Sequence, residues 1–143
     1  MPNLLKNAGF EDQLTGTFSS WKGWYLDPSE GAVCVYQKKT PNAKTGFYQD
    51  IPASRFESDG KYQFQMKLLS PTANATASPT VWVFKESQDP KPTQMVFSLK
   101  AGQWQIVQVD VNITRNKLKK VRAELYFGPD DCEMIIQRAY FGK

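Results

Sequence analysis

The chain has 143 residues, with 18 basic and 14 acidic side chains for a net charge of +4, an apolar fraction of 41% and an aromatic fraction of 13%. That length fits one domain, residues 1–143, with a hydrophobic core that needs no staples. Histidine is absent, which excludes Ser-His-Asp and Cys-His catalysis and His-ligated zinc in one step.

In chain order the pattern has period two almost throughout. Three early segments read as strands: FSSWKGWYL (18–26), AVCVYQ (32–37) and GFYQDI (46–51). PASRFESDGK (52–61) is the nearest helix candidate, but it is short and rich in turn residues. KYQFQMKLL (61–69) alternates cleanly, with Tyr62, Phe64, Met66 and Leu68 on one side and Gln63, Gln65 and Lys67 on the other. TVWVFKE (80–86) sets Val81 and Val83 against Trp82 and Phe84. QMVFSL (94–99) groups Met95, Phe97 and Leu99, and IVQVDVNI (106–113) groups Val107, Val109, Val111 and Ile113. VRAELYF (121–127) sets Val121, Ala123, Leu125 and Phe127 against Arg122, Glu124 and Tyr126, and EMIIQRAYF (133–141) closes the series. The gaps hold most of the Gly and Pro, as in DPSEG, TPNAKTG, SPTANATASP and SQDPKPT. Many short strands with regular turn signals predict an all-β fold, a sandwich of two antiparallel sheets.

The side chains opposite the core faces form the strongest candidate site. Gln63, Gln65 and Lys67 are expected beside Trp82 and Phe84, and beside Arg122, Glu124 and Tyr126 if their strands share a sheet. Flat rings pack on the C–H face of a sugar, while amides, Arg and carboxylates bind its hydroxyls. Aromatics with Arg also anchor protein interfaces, so glycan and protein are weighed equally as occupants. Trp21, Trp24 and Trp104 read as core or core-edge. Odd spacing puts Trp21 and Trp24 on opposite faces, and Trp24 with Tyr25 is the better exposed pair. RNKLKK (115–120) reads as a solvated hairpin tip, and without an aromatic for base stacking no nucleic-acid partner is expected. The acids lie mainly in turns, and none in a strand has a clear partner for glycoside hydrolysis, so no enzyme is expected. No stretch approaches the roughly 20 apolar residues of a membrane helix. Two reduced cysteines, Cys34 and Cys132, are preferred over a bridge, because nothing marks the chain for export.

NLLKNAGFED (3–12) followed by WKGW (21–24) resembles the opening of jelly-roll carbohydrate-binding modules, the galactose-binding-like β-sandwiches. GFYQDIPASRFESDGKYQFQMKLLS, AGQWQIVQVDV and AELYFG continue the likeness along the whole chain. The resemblance implies a jelly-roll sandwich in which this stretch is a fold signature: a first strand, a Gly-assisted corner, Phe10 entering the core and a tryptophan closing over it. It also implies a structural calcium held by Glu11 and an Asp of the last strand. That strand here reads MIIQRAYF, with Gln137 or Arg138 near the expected place. Glu11 therefore remains the one candidate ligand, the balance is against a retained calcium, and no cofactor is required.

The fold serves many functions, and two classes stand. One is a structural or attachment protein, an accessory of a larger assembly such as a phage virion, with capsid or tail proteins as partners. It would be made in the cytosol without a signal peptide and end in a virion, and self-association would be one way to cover an aromatic face. The other is a glycan-binding module of a secreted polysaccharide-degrading enzyme. The first is preferred because export signal, linker and hydrolase are all missing from the chain as given.

Overall fold

A computed structural model describes residues 3–5, 13–14, 17–18, 22–23, 26–28, 34–37, 46–128 and 133–143, with side chains for 3–5, 48–128 and 134–143. The described strands are β1 (Gln13–Leu14), β2 (Thr17–Phe18), β3 (Lys22–Gly23), β4 (Leu26–Pro28), β5 (Cys34–Gln37), β6 (Gly46–Pro52) and β7 (Gly60–Leu69). They continue with β8 (Ala75–Lys85), β9 (Lys91–Gln94), β10 (Phe97–Leu99), β11 (Trp104–Ile113), β12 (Leu118–Gly128) and β13 (Glu133–Gly142). The helix candidate is a single 3-10 turn, Ala53–Arg55.

All pairings are antiparallel. A front sheet runs β10-β8-β12-β6-β3, with β9 also paired to β8, and a back sheet runs β11-β7-β13-β5-β4. A separate small ladder joins β1 to β2. The expected jelly-roll sandwich is thus what the chain forms.

The core lies between the sheets, and alternation builds it. On the back sheet, Tyr62, Phe64, Met66 and Leu68 of β7, Val107 to Ile113 at odd positions of β11, and Met134, Ile136, Ala139 and Phe141 of β13 are buried. On the front sheet, Val121, Ala123, Leu125 and Phe127 of β12 face Ala75, Ala77 and Val81 of β8 and Ile51 of β6 in the same cluster. Phe141 collects three rings, with centroids 6.0 Å from Phe56, 6.1 Å from Tyr62 and 6.1 Å from Phe64.

Residues 3–5 clip onto the last strand. Asn3 Nδ2 donates to the Ala139 carbonyl at 3.0 Å, and Asn3 Oδ1 accepts from the Phe141 and Leu5 amides at 3.0 and 3.1 Å. The Leu4 amide donates to the Phe141 carbonyl at 2.8 Å, and Leu5 is buried. The asparagine side chain here stands in for one strand-to-strand ladder step, so the segment docks without being a full strand.

Two expectations are corrected. QMVFSL is not one strand: β9 and β10 are broken at Met95–Val96, which are 50% and 65% exposed. Pro79 is the cause. Thr80 pairs Gln94 and Ala77 pairs Phe97 in a common register, and between them Pro79 offers no N–H to the ladder. The Met95 amide still reaches the Pro79 carbonyl at 3.3 Å. Trp104 is not core: it is 42% exposed, since β11 turns its odd positions inward and so turns 104 and 106 outward.

Phe141→Ala removes the ring at the centre of the aromatic cluster. It is expected to cost about 3–5 kcal/mol in urea unfolding, read as a lower midpoint with an unchanged slope.

Candidate functional site

The consecutive strands β7 and β8 belong to different sheets. The residues expected on one face are therefore divided between the two outer faces of the sandwich. Trp82, Phe84, Arg122, Glu124 and Tyr126 come together on the front sheet. Gln63, Gln65 and Lys67 lie on the back sheet and do not join them. The alternation within each strand was read correctly, but the sheet each strand enters is set by the crossover at 70–74. Trp24, Tyr25 and Glu11 lie outside the described side chains.

The front face is built in rows across β6, β12 and β8. One row carries Asp50, Arg122 and Trp82, with Pro92 of β9 beyond. The next carries Tyr48, Glu124, Thr80 and Gln94. Lys120 stands opposite Phe84, and Tyr126 opposite Ser78. Strand spacing makes β6 to β8 roughly 10 Å wide, enough to support sugar rings side by side.

Glu124 is the hub of this face and is only 9% exposed. Its Oε1 accepts from Trp82 Nε1 at 3.1 Å and from the Tyr126 hydroxyl. Its second oxygen accepts no hydrogen bond from the described residues. The indole and phenol are thus fixed at the angle their shared acceptor dictates, with Trp82 half-buried and open to solvent. Beside them the Arg122 guanidinium forks onto Asp50, with Nε to Oδ1 at 2.8 Å and Nη2 to Oδ2 at 3.2 Å. The same guanidinium lies over the Tyr48 ring at 4.0 Å and over Phe84 at 5.5 Å. Lys120 Nζ reaches Asp50 Oδ2 at 3.2 Å and lies 4.8 Å from the Phe84 ring. Gln94 Nε2 donates to Thr80 Oγ1 at 2.8 Å, which in turn donates to the Ser78 carbonyl at 3.1 Å.

Partial burial works against the charge on Asp50, but hydrogen bonds from Arg122 and Lys120 and their positive charges outweigh it and hold the carboxyl below its usual range. The Asp50 hydrogen bond likewise raises Arg122, against partial burial. Burial, then the hydrogen bond and charge of Glu124, push the Tyr126 hydroxyl up to about 12.

Tyr48, Asp50, Thr80, Gln94 and Lys120 were missed as site residues. GFYQDI carried the signal for the first two: with Gln49 and Ile51 buried, Tyr48 and Asp50 must point the other way. Gln94 could not be found from its own segment, because only the ladder to Thr80 brings it to this face.

The back face is different. Gln65 Nε2 donates to Gln108 Oε1 at 2.6 Å, Gln108 Nε2 to Asp110 Oδ1 at 2.7 Å, and Lys61 pairs with Asp110 at 3.1 Å. Most of these polar groups are engaged with one another.

Among the described residues no group of three or more His, Cys, Asp or Glu could hold a metal ion. On the last strand, Arg138 is exposed, and neither it nor Gln137 is a carboxylate. Of the two, only Gln137 carries an oxygen of the kind calcium takes, and Glu11 lies outside the described side chains. No helix among the described residues is long and apolar enough to cross a membrane.

Ionisation of Tyr126 supplies a test of the Glu124 hub. Its folded value lies above the ordinary value of 10.0. The neutral phenol is favoured by folding, so its contribution is complete below pH 10 and is lost as pH rises from about 10 to 12. Denaturant midpoints across that window should fall less steeply in Tyr126→Phe than in the parent.

No protein-family model matches the sequence, and no curated protein matches it. Solved structures do match. Endo-1,4-β-D-xylanase 10B of Clostridium thermocellum, as its CBM22-1-GH10 modules complexed with xylohexaose, aligns with 99% of this chain at TM-score 0.74 and 12% identity. This chain spans 28% of that one. A family 4 carbohydrate-binding module aligns over 96% of this chain and 98% of its own, at TM-score 0.68 and 11% identity. The enzymatically active domain of tailspike protein 4 from bacteriophage CBA120 aligns over 98% of this chain and 21% of its own, at TM-score 0.65 and 13% identity. At such identities the likeness is one of architecture: this chain has the jelly-roll β-sandwich fold of carbohydrate-binding modules.

Proposed function

We propose that the protein binds a neutral β-1,4-linked polysaccharide, without cleaving it, on the outer face of the front sheet. The observation that carries this reading is the Trp82–Glu124–Tyr126 cluster beside Arg122, Asp50 and Tyr48. Rings to pack on sugar C–H faces stand among polar groups already oriented by one another. Such groups lose little side-chain freedom when hydroxyls arrive. Structures of the same fold are described as complexed with xylohexaose and with β-1,4-galactotriose, which supports the ligand class.

The reading is non-catalytic. Glycoside hydrolysis needs one carboxyl held protonated as a general acid, and Asp50 is instead held charged by two cations. Affinity electrophoresis against xylan, β-1,4-galactan and β-1,4-glucan tests the proposal. At least one should retard the parent protein, and Trp82→Ala should weaken retention by roughly tenfold to a hundredfold, as for a truncated aromatic anchor. Retention by none of them, or unchanged retention in Trp82→Ala with its fold intact by circular dichroism, overturns it.

The tailspike likeness favours a second reading about setting. In it, the same module serves an attachment component of a phage virion, a capsid decoration or tail part, with the front face meeting a glycan of the cell surface. Purified particles should then carry the protein, and gene neighbours should encode capsid or tail proteins. Hydrolase domains in the same reading frame would place it instead in a polysaccharide-degrading enzyme.

A further inference from the structure

The back sheet carries a second, unlike surface. Ile106, Lys67 and Arg138 stand side by side on β11, β7 and β13. The ladder slips at Gln137, between Ile136 and Arg138, and this bulge turns Arg138 to the outer side beside Lys67. Lys67 and Arg138 are therefore directly opposed like charges, an arrangement that costs stability in a sheet. Among the described residues no carboxylate pairs with either. Asp110, on the same face, lies two rows away and is taken by Lys61 and Gln108.

Lys67 and Arg138 both line a notch of about 30 Å³, together with Met66, Ile106, Ala139 and Tyr140. That volume admits a small group and no more. Beside the notch, Ile106 is 57% exposed and Trp104 42% exposed, with the Lys67 ammonium 5.6 Å from the indole centroid. The patch thus joins two cations that have no carboxylate partner among the described residues to an exposed ring, against which Lys67 rests, and to an aliphatic step.

We propose that this face is a second glycan site, distinct from the Trp82 face, and that it takes an acidic polysaccharide: a uronate carboxylate enters the notch between Lys67 and Arg138 while the sugar chain runs over Ile106 and Trp104. The carboxylate relieves the like-charge opposition that the bulge creates. The small notch, with a ring and an aliphatic side chain exposed beside it, favours a sugar acid over a broad acidic protein surface, which would need a wider apolar depression.

Calorimetric titration of the full chain with fragments of polygalacturonate, alginate and hyaluronate tests the site, together with the methyl ester of whichever binds. At least one acid should bind, and its ester at least tenfold more weakly. The double variant K67Q/R138Q should reduce acid binding to the level of the ester, and Trp104→Ala should weaken acid and ester alike. K100Q/K117Q removes the same charge from exposed turns and should have less than a threefold effect. Trp82→Ala should leave acid binding unchanged, and K67Q/R138Q should leave neutral-polysaccharide retention unchanged, so the two sites fail separately. The proposal is overturned if no acid binds, if acid and ester bind equally, if K100Q/K117Q matches K67Q/R138Q, or if Trp82→Ala abolishes acid binding.

Discussion

Ala123 and Leu125 on β12 are fully buried, and a strand that buries both must turn Arg122, Glu124 and Tyr126 to the other side. β12 is also interior to the front sheet, with β8 on one flank and β6 on the other. Its outward residues therefore meet neighbours on both sides: Asp50 and Trp82 across from Arg122, Tyr48 and Thr80 across from Glu124. Core packing and the site are one constraint seen from two faces. A slip of one residue in β12 would expose the core row and bury two charges together.

Glu124 shows how burial and function are reconciled. A nearly buried carboxylate is costly unless its oxygens are satisfied. Here the indole N–H and the phenol satisfy one oxygen, and the same bonds fix both rings. Arg122 is treated alike, bound along its edge by Asp50 and covered on its face by Tyr48. Each charged group that is withdrawn from water also orients an aromatic ring.

Much of this was legible before any coordinates. Alternation in 61–69, 106–113 and 121–127 identified the core rows residue by residue, because period two is a local property of each strand. Sheet membership is not local. Gln63, Gln65 and Lys67 would join Trp82 only if their strands shared a sheet, and nothing in SPTANA states that the chain crosses the sandwich there. Trp104 was misjudged for a different reason. Its size suggests burial, yet its parity with Gln108 and Asp110 already pointed outward, and parity wins where a strand is regular. Pro79 was visible as a proline, but its effect falls on another strand, at Met95 and Val96, and only pairing reveals it.

That break has a bearing on how the molecule behaves among its own copies. An uninterrupted outer strand is a template onto which another chain can add by backbone hydrogen bonds. Along the described edge of the front sheet, the outer segments are four and three residues long, and the longer begins Lys91–Pro92. A charged residue, a missing donor and the gap opposite Pro79 leave no long stretch for an incoming strand to zip against. That edge of the front sheet is thereby kept to itself, whereas the ten-residue β11 that ends the back sheet carries no such break.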